Sequence, residues 1–472
     1  MIVKDLSLYK NKKYFAIIIG SGPAGISTAL GLERKKINSL IVEAGDISTN
    51  DYNLEFLKGF NVGNKYSDIE ISRLRQFGGT SGLWGGNCNP LDESDFSEWP
   101  ITKKDLDVHK YEAKKILNLK KDFFSDKFSK NLKIFNRVWS NVKFGEKYYE
   151  YIKKSKYIHL SLNTIFENFK GTNGFIEAAN VSKNKTRYSL NSKFYILSCG
   201  GIENSRLLLW SKFKNPNLFR LPLPIGNYYM DHPFHNVGAG LINYNMFKKY
   251  NTYNNIYNSP SIGCDTKMLL SSNKEFLNEK KILNSGLYVD FKNLDTKNTF
   301  FNQLKCMAPK FIKNTLTQNN KKDLYEISID IIQEQNADFN NKIELSKKLD
   351  PLNMPLVKIS WFKSELIRKS AKNILEEMAK VFLENDMGRI SLNEYLFNNS
   401  KYDTTVGNHQ LGGTRMGIEN KDSVVDKNLK AHGFENLYIN GSSVFRTGGY
   451  AHPTYTIVKL ALRLSNHITK KV

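Results

Sequence analysis

The stretch Tyr14-Phe-Ala-Ile-Ile-Ile-Gly20-Ser-Gly22-Pro23-Ala24-Gly25, near the start of a 472-residue chain, decides the fold. Its first six residues form a continuous apolar run rich in β-branched side chains, the pattern of a strand buried on both faces of a parallel sheet. Residues 24–35 read as a helix, so the glycines fall at a strand-to-helix turn. In such a turn Gly20 permits the tight bend, Gly22 lets the backbone approach a pyrophosphate, and Gly25 allows close helix-to-strand packing. The helix start offers unpaired N–H groups and a dipole that favours phosphate. A second apolar strand, residues 39–42, ends on Glu43 and Ala44, which puts an acid where a ribose hydroxyl is bound. Strand, turn, helix, strand and acid specify a dinucleotide site. They do not distinguish NAD from FAD, which share the ADP half.

Composition sets the frame. With 40% hydrophobic and 12% aromatic residues the chain suits a globular enzyme of two or three domains. It contains no run approaching the ~20 apolar residues of a membrane span, and no secretory leader is read at its start. The formal charge of +23 is spread along the chain among many Asn and Ile residues, without a dense basic block. That distribution is a compositional bias rather than a nucleic-acid-binding signature, although it steers anions favourably. Cys88, Cys199, Cys264 and Cys306 show neither metal-ligand spacing nor a disulfide framework, so reduced thiols, a cytoplasmic location and no metal are expected.

A second glycine-rich run, Gly78-Gly79-Thr80-Ser81-Gly-Leu83-Trp84-Gly85-Gly86-Asn87, lets backbone come close to a ligand and reads as a packed turn rather than a solvated linker. Thr102 is the expected N-cap of one helix running to about residue 117. Residues 120–156 have no clear period. Around Cys199 and Gly200 another strand gives way to an apolar helix, the joint of a nucleotide domain. Residues 233–400 read as a separate domain with strands at 325–332 and 342–346 and an amphipathic helix over 363–385. A strand at 437–439 ends on Asn440 and Gly441, and a helix is expected over 454–468, just after His452 and Pro453.

Seven motifs in order make the chain similar to the glucose-methanol-choline (GMC) oxidoreductases, a family of FAD enzymes. They are G-S-G-P-A-G with V-E-A-G; G-G-T-S-x-x-W-G-G; C-G-G-I-E-N-S-R-L-L-L; I-G-N-Y-Y-M-D-H-P; E-Q-N-A-D-F-N-N-K-I-E-L-S; H-Q-L-G-G-T-R-M-G; and N-L-Y-I-N-G-S-S-V-F with T-G-G-Y-A-H-P-T. The resemblance implies an α/β fold. A Rossmann-like FAD-binding domain (1–100, 157–232 and 403–472) is interleaved with an α+β substrate-binding domain (101–156 and 233–402). It implies oxidation of an alcohol CH–OH to a carbonyl with hydride delivered to flavin N5. His409 matches the proton acceptor and His452 the position, His or Asn in relatives, that orients the hydroxyl. Imidazole suits both tasks because its ordinary pKa lies near neutrality.

The same resemblance assigns FAD contacts to Gly20, Gly22, Pro23, Ala24, Gly25, Glu43, Ala44, Gly79, Thr80, Trp84, Gly85, Gly86, Asn87, Cys199, Gly200, Asn440, Gly441, His452, Pro453 and Thr454. The W-G-G variant followed by E-W-P-I is most similar to compact bacterial members acting on sugars, polyols or cyclitols. A small-molecule alcohol is therefore the expected partner, without nucleic acid or an integral membrane segment. Oxygen, a quinone or a redox protein remain open as electron acceptor. A non-redox lyase of the same fold and a silent nucleotide-binding assembly protein are the alternative readings.

Departures from the family carry expectations of their own. Leu83 stands in the segment where some relatives carry a flavin-linked histidine, which implies non-covalent FAD. Arg446 replaces a usual proline and is expected to bring positive charge near substrate or cofactor. Gly441 replaces an aspartate, leaving flavin contacts to Asn440 and the backbone. Asn353 replaces a turn glycine, tolerable because asparagine visits positive φ.

Overall fold

The computed structural model describes residues 1–7, 14–243, 266–293, 324–398 and 404–471. Cys264, Cys306 and parts of the 233–402 segment lie outside them.

The strand Tyr14–Ile19 runs parallel to Ser39–Val42 on one side and to Ser192–Leu197 on the other. Ile158–Ser161 and Leu437–Ile439 complete a five-stranded parallel sheet. In chain order the strands lie third, second, first, fourth, fifth, the doubly wound arrangement whose ligand crevice opens where the order reverses. That point lies between the carboxyl ends of Tyr14–Ile19 and Ser192–Leu197, where Gly20 and Cys199 follow. Helices Pro23–Glu33 and Thr454–Thr469 cover one face, so close together that a Cβ on Gly31 would lie 2.1 Å from Ser465 Oγ. Coverage of the sheet explains the unbroken apolar run: Ala16, Ile17 and Ile18 have no exposed surface.

The second layer system is an eight-stranded antiparallel sheet. Its centre is Pro233–Asn243, Leu324–Gln333, Ser285–Asn293 and Thr266–Ser272. Helix Glu365–Glu384 buries Ile367, Ala371, Ile374, Leu375, Met378 and Phe382 against it, and Ser364 precedes its first turn. The helical period expected over 363–385 is thus present and shortened by two residues at the start and one at the end. Residues 120–156, which had no readable period, supply the short strands Ser125–Lys127, Leu132–Phe135 and Val138–Trp139 and the helix Phe144–Lys154. That helix buries only Phe144, Tyr148 and Ile152, a stripe too narrow to stand out among its lysines.

The structure differs from the sequence reading in two further places. The helix begun by Thr102 is capped as expected, Thr102 and Asp105 bonding reciprocally, but it is two helices, Lys103–Asp107 and Lys110–Ile116. Between them the chain tightens, with His109 N–H donating to Leu106 C=O at 3.0 Å and His109 at φ −100°, ψ 4°. The Gly59–Gly63 strand pairs in parallel with Pro355–Trp361, a contact no local pattern announces. Asn353, in the turn before Pro355–Trp361, sits at φ 62°. No helix of the described residues is long and apolar enough to cross a membrane.

Candidate active site

The three glycines of the first turn are needed for different reasons, and the backbone separates them. Gly20 sits at φ 97°, and a Cβ there would lie 2.6 Å from Ser198 O. On Gly25 it would be 2.0 Å from Gly20 O. Both are required by the protein itself. Gly22 has an extended backbone, φ −69° and ψ −174°, and its Cβ would meet no protein atom within 4 Å. The space before it belongs to a cavity of about 1110 Å³. A side chain at Gly22 would obstruct only what fills that cavity.

The cavity runs from this turn to the histidines. Its wall includes Gly20, Gly22, Pro23, Ala24, Glu43, Ala44, Gly79, Thr80, Trp84, Gly85, Gly86, Asn87, Cys199, Gly200, Gly441, His452, Pro453, Thr454 and His409. Two residues expected to contact FAD are not in it. Gly25 is buried in packing, as above. The Asn440 amide donates to Thr28 Oγ1 at 3.1 Å and accepts from Gly441 N at 2.8 Å, so it anchors the helix and shapes Gly441 instead of facing a ligand.

Helices Pro23–Glu33, Gly200–Lys214 and Thr454–Thr469 all present their N-terminal ends to this space. Each offers unpaired N–H groups and the positive end of its dipole. Glu43 Oε2 accepts from Ser21 N at 3.0 Å and Ser21 Oγ at 2.6 Å, and Oε1 from Gly45 N at 2.9 Å. Burial pushes its carboxyl up, opposed by those three bonds. The expected ribose acceptor therefore also clamps the turn. The second glycine run is a packed turn: Ser81 Oγ donates to Gly78 O at 2.7 Å and accepts from Phe144 N at 3.0 Å, while Trp84 Nε1 donates to Val142 O at 2.9 Å. Asn87 Oδ1, buried at the wall, has no hydrogen-bond partner among the described residues. Open space at Gly22, three helix N-termini and this orphaned acceptor fit a dinucleotide with a polar heterocycle.

At the other end the His409 and His452 rings lie 4.8 Å apart, inclined at 71°. Burial lowers His409 to about 4, and lowers His452 well below its usual value, helped by the repulsion that a protonated His409, Arg137 and a protonated His232 would exert on its charged form. Both are therefore neutral at pH 7. Phe234, Tyr288, Asp290, Asp330 and Ile332, on strands of the antiparallel sheet, line the same cavity together with Arg137. Asp290 Oδ1 is buried without a hydrogen bond among the described residues, and the Arg137 guanidinium lies 5.1 Å from the Tyr288 ring centroid. The sequence reading missed these, because residues brought in from a sheet have no local signature.

It also missed His232 and Asp231. His232 Nδ1 is 2.8 Å from His409 Nδ1. Asp231 Oδ1 accepts the backbone N–H of both His232 and His409 at 2.8 Å, and Oδ2 accepts from Tyr66 Oη at 2.5 Å. The signal was present in the D-H-P motif, which gave no hint of its long-range partner. Arg446 does not reach the cavity: its guanidinium donates to Asp422 Oδ2 at 2.7 Å and to Met416 O at 3.2 Å. The expectation of a cation beside substrate at that position is overturned, because the nearest carboxylate draws the side chain the other way.

Comparison with known proteins adds sequence and fold likeness. Residues 338–461 match the family model described as GMC oxidoreductase. The fructose dehydrogenase large subunit of Gluconobacter japonicus is 31% identical over 132 residues, which is 28% of this chain and 23% of that protein. The fold extends much further than the sequence match. A pyridoxine 4-oxidase from Mesorbium loti superposes with a TM-score of 0.57 at 12% identity, covering 96% of this chain and 99% of that one. A formate oxidase of Aspergillus oryzae RIB40, solved in a study of FAD modification, gives 0.55 at 13% identity over 98% and 99%.

Proposed function

We propose that this chain, a member of the GMC oxidoreductase family, is an FAD-dependent enzyme that oxidises a CH–OH group of a sugar, polyol or cyclitol-like alcohol. The observation that carries the reading is the cavity itself, which joins a dinucleotide turn at Gly20 and Gly22 to a pair of neutral imidazoles at His409 and His452.

FAD, when bound, supplies the hydride acceptor. The turn residues Gly20 to Ala24, Glu43 and the Gly79–Asn87 segment would hold it. We expect non-covalent attachment, since the cavity-lining residues of that segment include no histidine, cysteine or tyrosine, and Leu83 is 54% exposed to solvent. His409 takes the hydroxyl proton on Nε2, the ring nitrogen that has no hydrogen-bond partner among the described residues, its Nδ1 being held by His232. His452 holds the alcohol oxygen from the other side. Burial keeps both imidazoles neutral, so the base is present at neutral pH without prior deprotonation. Asp290 offers an acceptor for a further hydroxyl, Arg137 offers donors, and Phe234 and Ile332 offer an apolar floor. That mixture suits a polyhydroxylated ligand better than a plain alkanol.

Anaerobic addition of sugars, polyols, amino-cyclitols and choline to the FAD-loaded protein tests the reading. A polyhydroxylated alcohol is expected to bleach the oxidised flavin. Bleaching by none of them, or only by a compound with a single hydroxyl, contradicts it.

A further inference from the structure

His409 is usable as a base only if its cavity-facing nitrogen carries a lone pair. Its Nδ1 is not free to vary, because His232 Nδ1 lies 2.8 Å away. At that separation one nitrogen donates and the other accepts, since two N–H groups would collide and two lone pairs would repel. His232 is 1% exposed and is not part of the cavity wall. Its Nε2 faces the Gly448 backbone without closing a regular hydrogen bond, and a Cβ on Gly448 would come within 2.7 Å of it. Asp231 fixes the approach of the two residues by accepting both backbone N–H groups.

We infer that His232 is a positioning residue: its Nδ1 accepts the Nδ1–H of His409 and so holds His409 in the tautomer whose Nε2 lone pair faces the cavity. The inference rests on the reading of His409 as base. A histidine side chain free in water prefers the opposite tautomer, with the proton on Nε2, so without a fixed acceptor the base would spend most of its time with the wrong nitrogen protonated. The acceptor matters again after proton transfer. A neutral His232 stabilises the His409 imidazolium through a charge-assisted bond and raises its basicity. The charged or titratable groups facing His409 are His232, His452, the Asp231 carboxylate on its backbone and, beyond His452, Arg137.

Asparagine at position 232 is the discriminating substitution. Its Oδ1 hangs from Cγ as Nδ1 does in histidine, so His232→Asn keeps the acceptor and removes the imidazole. His232→Leu fills similar space with no acceptor. On FAD-loaded protein carrying ¹⁵N-histidine, with the His409 signals assigned by their loss in His409→Ala, the wild type and His232→Asn are expected to show His409 protonated on Nδ1. His232→Leu is expected to move the proton to Nε2. Anaerobic flavin reduction should slow about 10–100-fold in His232→Leu at unchanged substrate affinity, the scale of losing a residue that orients a histidine, and recover most of that loss in His232→Asn. The acid limb of the rate profile should move to lower pH in His232→Leu, because His409 loses the acceptor that raised its pKa. His409 protonated on Nε2 in the wild type, or a tautomer indifferent to His232→Leu, overturns the inference. The tautomer is read without turnover, so it is decided even if no alcohol reduces the flavin and the functional reading fails.

Discussion

Asp231 Oδ1 accepts the backbone N–H of His409 at 2.8 Å, across 178 residues of chain. This carboxyl has no exposed surface, and burial raises its pKa to about 7 against the pull of Tyr66, His232 and His409. A carboxyl whose folded pKa lies above its unfolded value of about 3.9 binds its proton more tightly when folded. Its stabilising contribution is therefore complete below that unfolded value and is lost as pH rises towards 7. Asp231→Asn keeps an acceptor oxygen without the ionisation. The stability of wild type relative to Asp231→Asn is expected to fall between pH 4 and 7 and to level off above. Denaturant midpoints across that range check it, and a difference that does not change with pH contradicts the buried ionisation.

Gly22→Val and Gly25→Ala should fail in different ways. A Cβ at position 22 meets no protein atom within 4 Å, so the apoprotein should fold with nearly unchanged stability while FAD binding is abolished. The alanine forces Cβ to within 2.0 Å of Gly20 O, so it should destabilise the protein itself, by about 1–3 kcal/mol, the cost of overpacking. Unfolding of apoprotein and flavin titration separate the two. Equal FAD affinity in wild type and Gly22→Val would remove the pyrophosphate from this turn.

Arg137→Met should weaken the substrate's hold more than the chemical step, since the guanidinium lines the cavity but its position beside His452 is not that of the base. Arg446→Ala should leave both unchanged, because its partners are Asp422 and Met416. Limiting rate and apparent affinity in anaerobic flavin reduction provide the comparison. A rate loss in Arg446→Ala as large as that in Arg137→Met would mean that the Asp422 pairing does not hold.

Acid or heat should release FAD intact from the denatured chain. Flavin that stays with the polypeptide would show an attachment that Leu83 does not provide.

What could be read in advance follows from the range of each interaction. The Gly20–Gly25 turn, the Thr102 cap and the Glu365–Glu384 helix depend on neighbours a few residues away, so spacing reveals them. His409 and His452 stood out because each lies in a motif. Their environment did not, since His232, Arg137 and Asp290 arrive from other strands and loops. The buried pairs Arg73–Glu203 and Arg206–Asp350 are equally non-local; joined by the helical i,i+3 pair of Arg206 with Glu203, they tie the segment before the second glycine run to the Gly200–Lys214 helix and to the turn before Pro355. Asn440 and Arg446 misled the reading for the same reason. Their place in the chain is beside the cavity, while their side chains follow the nearest polar partner away from it.

Anaerobic stopped-flow reduction of bound FAD by an oxidisable alcohol, in His409→Ala, His452→Asn and His452→Ala, is the most direct test of the central claim. It isolates the half-reaction from the acceptor. His409→Ala should keep FAD and fold but slow reduction by about 10²–10⁴-fold, the contribution of a positioned base. His452→Asn should be the mildest, because an amide still hydrogen-bonds the alcohol, and His452→Ala should be worse than Asn. In the wild type the rate should rise with pH through about 4, where buried His409 loses its proton, and hold level above pH 6. A His409→Ala enzyme that reduces its flavin at the wild-type rate while the His452 variants are crippled would contradict the assignment of His409 as base.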